Sequence, residues 1–107
     1  MIALQKNDVM AIVKQYLKTK PVCKVTFTVP AEEAEKVAVV GDFNDWNPQK
    51  SLLKKLKNGV FKGTLELPKE HSYEFRYLID GSYANEVDAD RYQWNEYAGT
   101  ENAVLEL

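Results

Sequence analysis

The chain has little of what builds reactive sites. Its 107 residues include one cysteine, Cys23, and one histidine, His71. A single cysteine excludes an internal disulfide, and one Cys with one His cannot supply the ligand set of a zinc site. Cys23 alternates with Val25, Phe27 and Val29, a spacing that turns it toward a core as a small apolar side chain. His71 follows the turn-forming run Pro68-Lys69-Glu70 and has no Ser or Cys partner nearby in sequence, which is the setting of a solvated histidine rather than a general base. No glycine-rich phosphate cradle is present. The run from Glu86 to Asp90 carries acids at alternate positions but lacks the glycine and the closing glutamate of a calcium loop. Asp42 and Asp45 lie in an Asn-rich turn, where carboxylates accept from nearby backbone N–H groups, and nothing places them across a cleft. These absences predict no metal, no cofactor and no catalytic residues.

Long hydrophobic runs are also missing, so no membrane span is expected. The first residues, Met1 to Lys6, lack a basic start followed by an apolar stretch, and the expected location is cytoplasmic. Formal net charge is −2, which argues against a nucleic-acid partner. Lys50, Lys54, Lys55 and Lys57 cluster, but a short lysine run of this kind marks a solvated strand edge. A hydrophobic fraction of 45% against 28% charged residues is the balance of one ordinary globular domain with one core.

Two periods divide the chain. Val9, Ile12, Val13, Tyr16 and Leu17 recur at helical spacing, with Asn7 or Asp8 as cap and Lys20-Pro21 as terminator, so residues 1–20 are expected to form an amphipathic helix. After Pro21 the period becomes two. Cys23 to Val29 alternate with Lys24, Thr26 and Thr28, and Pro30 ends that strand. A nearly all-apolar strand follows at about 36–41, then a polar loop at 42–50 and a short strand around Leu52, Leu53 and Leu56. Asn58-Gly59 signals a hairpin into Phe61–Leu67, and Asp80-Gly81 signals a second one between Tyr73–Ile79 and Tyr83. A long polar and aromatic loop is expected at about 86–100, and a last strand at 102–107. About seven short strands with regularly spaced turns predict an all-β, immunoglobulin-like antiparallel sandwich over residues 21–107. The helix would cover a sheet edge or mediate self-association.

The densest segment is Gly41-Asp42-Phe43-Asn44-Asp45-Trp46-Asn47. Gly, Asn and Asp mark a chain reversal, so Trp46 is expected on a loop, where it either packs or binds a ligand. Tyr83, Tyr92, Trp94, Tyr97, Asn44, Asn47, Asn95, Thr100 and Asn102 give the same region further aromatics, amides and hydroxyls. Such a set suits sugars, whose ring faces are apolar and whose hydroxyl rims need hydrogen-bond partners. Covering roughly 50 Å² of one sugar face contributes on the order of 1 kcal/mol. Useful affinity therefore needs several rings, or a polymer offering many sites.

Three ordered motifs carry a family resemblance: Val39-Val40-Gly41-Asp42-Phe43-Asn44-Asp45-Trp46, then the run from Tyr73 to Tyr83, then the run from Ala98 to Leu105. Together they resemble carbohydrate-binding module family 48 over about residues 21–107. That family includes the early-set domains of isoamylases and glycogen branching enzymes and the glycogen-binding domain of the AMP-activated protein kinase β subunit. The resemblance implies non-catalytic binding of α-1,4-glucan. On it, Trp46 and Tyr83 are the stacking residues, Arg76 binds the hydroxyl rim, and Thr100 and Asn102 are the polar pair. Trp94 is a further candidate contact from the long loop. Tyr83 and Ala98 stand where the kinase-type site has Trp and Leu. The alternative reading is a protein-interaction or self-association domain that has lost sugar binding, docking on a glucan-processing enzyme or forming a homo-oligomer through the helix.

Overall fold

The computed structural model describes residues 10–107. Nine strands follow one another: β1 (Ala11–Tyr16), β2 (Val22–Pro30), β3 (Val37–Gly41), β4 (Lys54–Lys55), β5 (Val60–Pro68), β6 (Ser72–Ile79), β7 (Ser82–Ala84), β8 (Arg91–Asn95) and β9 (Thr100–Glu106). Among the described residues, a 3₁₀ turn, Asp42–Asn44, follows β3. One sheet has the order β1-β2-β5-β4 and the other β3-β6-β9-β8, with β7 paired to the far half of β6. Every pairing is antiparallel.

The sheets close on one core. Cys23, Val25, Phe27, Val29, Phe61 and Leu67 from the first sheet meet Val37, Val39, Phe75, Tyr77, Ala103 and Leu105 from the second. This is the period-two pattern of the sequence made physical, since alternate side chains leave opposite faces of a strand. Phe27 sits at the centre, with ring centroids 5.7 Å from Phe75 and 6.3 Å from Tyr77, both edge-on. Edge-on contact places the positive rim of one ring against the negative face of the next.

The expected N-terminal helix is absent from the described residues. Ala11–Tyr16 is a strand paired to β2 along its whole length, from Ala11↔Thr28 to Tyr16↔Cys23. The cap candidates Asn7 and Asp8, and Val9, lie outside the described residues. The reason is tertiary. Without β1, the edge of β2 would leave a row of backbone donors and acceptors unpaired. Ile12 and Val13 are β-branched and suit the pleat, and Ile12 packs on the core. Lys14 lies on the inner side of this edge strand and donates from Nζ to Asp90 at 2.7 Å and to the Glu106 carbonyl at 3.0 Å, joining the two sheets. A second difference is β8, which lies inside the segment expected to be a loop. Arg91, Tyr92, Gln93 and Trp94 are all exposed, so the strand has no buried face to give it an apolar alternation.

Candidate functional site

The Gly41–Trp46 segment divides its work residue by residue. Gly41 is where β3 passes closest to β6: a Cβ there would stand 2.5 Å from the Glu74 carbonyl oxygen and 2.7 Å from Phe75 Cβ. Phe43 turns inward, its ring centroid 6.2 Å from Phe27 and 6.0 Å from Tyr73. Asn44 is buried and ties the turn together. Its Oδ1 accepts from the Gly41 N–H at 3.0 Å, and its Nδ2 donates to the Val39 carbonyl at 2.9 Å and to Ser51 Oγ at 3.0 Å. Asp45 and Trp46 both adopt left-handed backbone, with φ of 56° and 57°. That conformation costs an aromatic residue about 1–3 kcal/mol and persists only where the surroundings hold it. Here the Trp46 N–H donates to the Gly41 carbonyl at 3.0 Å. The indole Nε1 donates to Asp42 Oδ1 at 3.2 Å. The other oxygen of Asp42 accepts the Glu74 N–H at 2.8 Å, which fixes the carboxylate to β6.

Trp46 thereby reaches the outer face of the second sheet. A groove of about 400 Å³ lies there, lined by Trp46, Arg76, Tyr83, Asn95, Tyr97 together with Ala98 and Asn102. This is within the size range of small-molecule sites, ~300–1,000 Å³. Strand parity assembles it. Leu78 pairs with Tyr83, so Tyr83 shares the face of Leu78 and Arg76. Gln93 pairs with Asn102 and Asn95 with Thr100, which brings these four to the same face. The Arg76 guanidinium lies 5.6 Å from the centroid of the Tyr83 ring. A cation over an aromatic face contributes about 0.5–1 kcal/mol at an exposed site and fixes the orientation of both groups.

Two polar atoms of residues that line the groove are buried and have no hydrogen-bond partner among the described residues: Arg76 Nε and Asn102 Oδ1. Asn102 is 2% exposed, and its Nδ2 is already committed to Glu74 Oε1 at 3.1 Å. That commitment orients the amide, because the opposite flip would set its oxygen against a carboxylate. A buried polar atom without a partner costs about 1–3 kcal/mol. The groove thus runs between aromatic walls and past the two residues that carry these atoms.

Of the residues singled out in the sequence, Trp46, Arg76, Tyr83 and Asn102 line this groove. Thr100 shares the outer face of β9 two residues from Asn102 but is not part of the lining. Trp94 pairs with Glu101, on the opposite face of β8 from Gln93 and Asn95, and does not line the groove. It borders a smaller depression with Glu74, Arg91 and Gln93. Asn95 and Tyr97 also line the groove; the sequence placed both in the aromatic and amide set of this region, although no family motif pointed to them.

Behind the groove, on the core side of β6, Tyr77 donates to the carboxylate of Glu86 at 2.6 Å. Glu86 is fully buried, and its other oxygen accepts the Asp88 N–H at 3.1 Å. Burial raises the Glu86 carboxyl above the ordinary range for a glutamate, opposed by the hydrogen bond from Tyr77. Burial, with the neighbouring Glu86, likewise raises the Tyr77 phenol and keeps it protonated. The Tyr92 hydroxyl donates to the Glu86 carbonyl at 2.7 Å, so this pair also anchors β8.

The fold and the groove define a small antiparallel β-sandwich with an aromatic-walled groove on the outer face of one sheet. The chain belongs to the carbohydrate-binding module 48 (isoamylase N-terminal domain) family, whose profile matches residues 15–98. It is 32% identical over 85 residues to the 1,4-alpha-glucan branching enzyme GlgB of Lactobacillus acidophilus, an alignment covering 77% of this chain and 13% of that enzyme. It is 39% identical over 56 residues to the 1,4-alpha-glucan branching enzyme GlgB 2 of Xanthomonas campestris pv. campestris, covering 51% of this chain and 7% of that enzyme. The chain thus spans only a small part of the length of these relatives. Trp46, Arg76, Tyr83, Asn95, Tyr97 and Ala98 fall inside the family match, while Thr100 and Asn102 lie just beyond it.

Proposed function

We propose that this chain binds α-1,4-linked glucan in the groove between Trp46 and Tyr83, without turning it over, and so holds the polymer for a glucan-processing enzyme. The observation that carries the reading is one groove whose lining brings the aromatic side chains of Trp46 and Tyr83 together with Arg76 and Asn102. Sugar hydroxyls are both donors and acceptors, so one ligand class complements a guanidinium and an amide together. Trp46 and Tyr83 cover the apolar faces of glucose rings, and Arg76 and Asn102 bind the rim. Thr100 completes the polar edge on β9. The linkage type rests on the relatives, both named as 1,4-alpha-glucan branching enzymes. Each stacked ring contributes only ~1 kcal/mol, so the fitting ligand is a polymer, whose repeated sites raise the apparent affinity.

Electrophoresis in a native gel containing glycogen tests this reading. The wild-type protein is expected to be retarded, and Trp46→Ala to abolish the shift. Arg76→Ala is expected to weaken it while costing no more than about 1 kcal/mol of stability, the scale of the lost contact with the Tyr83 ring. Unchanged wild-type mobility at high glycogen overturns the proposal.

A further inference from the structure

Tyr97 stands apart from the other tyrosines on and beside the second sheet. Tyr73, Tyr77 and Tyr92 use their hydroxyls inside the fold, on the Pro68 carbonyl, the Glu86 carboxylate and the Glu86 carbonyl. Tyr83 lies against Arg76. Tyr97 is fully exposed, at 104% of its reference area, and still borders the groove. Among the described residues its hydroxyl has no hydrogen-bond partner and its ring packs on no other ring. The turn that carries it is nonetheless built. Asn95 Oδ1 accepts the Ala98 N–H at 2.9 Å, and the Asn95 carbonyl accepts the Gly99 N–H at 2.9 Å. Gly99 closes the turn at φ 67°, in the left-handed region that glycine adopts without strain. The neighbouring Ala98 presents only a methyl group to the groove. A pinned turn therefore holds a bare aromatic ring at the mouth of the groove, on the β8–β9 side.

Building on the glucan reading, we propose that Tyr97 is a third sugar-stacking residue. It covers a glucose unit beyond those lying on Trp46 and Tyr83, and so sets a preference for longer chains. A short oligomer is held by Trp46, Tyr83 and the polar floor alone. A longer one reaches the Tyr97 ring as well.

The test compares maltotriose and maltoheptaose by isothermal titration of the whole chain. Tyr97→Ala is expected to weaken maltoheptaose binding about fivefold, the factor that one covered sugar face carries, and to leave maltotriose within about twofold. Tyr97→Phe is expected to bind as wild type. The thermal midpoint of Tyr97→Ala should match wild type, since the side chain packs on nothing. Equal binding of maltoheptaose by Tyr97→Ala and wild type overturns the proposal, and so does an equal loss for both oligomers. If Trp46→Ala abolishes binding while Tyr97→Ala changes nothing, only the Tyr97 subsite fails. If Trp46→Ala also binds normally, the groove itself is not the glucan site.

Discussion

Asp42 holds Trp46 to the sheet beside it. One carboxylate oxygen accepts from the indole at 3.2 Å and the other from the Glu74 N–H of β6 at 2.8 Å. The indole is thereby positioned by the neighbouring strand and not by its own loop alone. Replacing Asp42 with Ala frees the Trp46 side chain and leaves the Glu74 N–H without its acceptor. Glycogen retardation is expected to fall by several-fold, with a loss of stability of about 1 kcal/mol, the scale of one such hydrogen bond. A gel titration paired with a urea midpoint measures both. Full retention of the gel shift would show that Trp46 needs no anchor.

Asn44 carries a heavier structural load. Its side chain serves the Gly41 N–H, the Val39 carbonyl and Ser51 Oγ, all in buried surroundings. Asn44→Ala leaves these groups unpaired, each at a cost of up to ~1–3 kcal/mol, and is expected to destabilise the protein by about 3 kcal/mol. Chemical denaturation reads the loss directly. Ser51→Ala removes only one of the three contacts and should cost less than half as much.

Glu86 gives the stability a pH dependence of known sign. Burial raises its carboxyl in the folded state above the value of ~4.3 that it has in an unfolded chain. The folded protein therefore holds this proton more tightly than the unfolded chain does. The contribution is fully present below about pH 4.3 and is lost as pH rises through the folded value. Glu86→Gln, which stays neutral, removes that dependence. The difference in urea midpoint between wild type and Glu86→Gln should thus drift in favour of the variant between about pH 4.3 and neutrality. A constant difference over that range would mean that Glu86 titrates alike in both states.

The strands with a buried face were legible because alternation encodes burial. Cys23 to Val29 and Tyr73 to Ile79 each bury one side, and their hydrophobic pattern says so. The hairpins at Asn58-Gly59 and Asp80-Gly81 were legible for a different reason: Gly59 and Gly81 have φ of 83° and 87°, a conformation few other residues accept. β1 was misread because Val9, Ile12, Val13, Tyr16 and Leu17 fit a helical spacing. The strand wins by pairing with the open edge of β2, a partner that no local window contains. β8 was hidden because both of its faces meet solvent.

The same division runs through the candidate site. That Gly41–Trp46 is a turn with an aromatic end could be read from the sequence, since Asn and Asp tolerate left-handed backbone and accept short-range hydrogen bonds. The sequence also determined the family, through three ordered motifs. Which side chains meet depends on how the strands pair. Register sets Gln93 opposite Asn102 and so turns Trp94 to the other face of β8, away from the groove. The pairing of β6 with β9 brings Arg76 and Asn102 to one surface. The close passage of β3 at Gly41 lets Asp42 reach Glu74, and that bond sets where Trp46 stands. The physical reason is that a one-residue shift in pairing exchanges the two faces of a strand. The identity of a site on a sheet is therefore a property of register, and register is fixed by contacts between residues far apart in the chain.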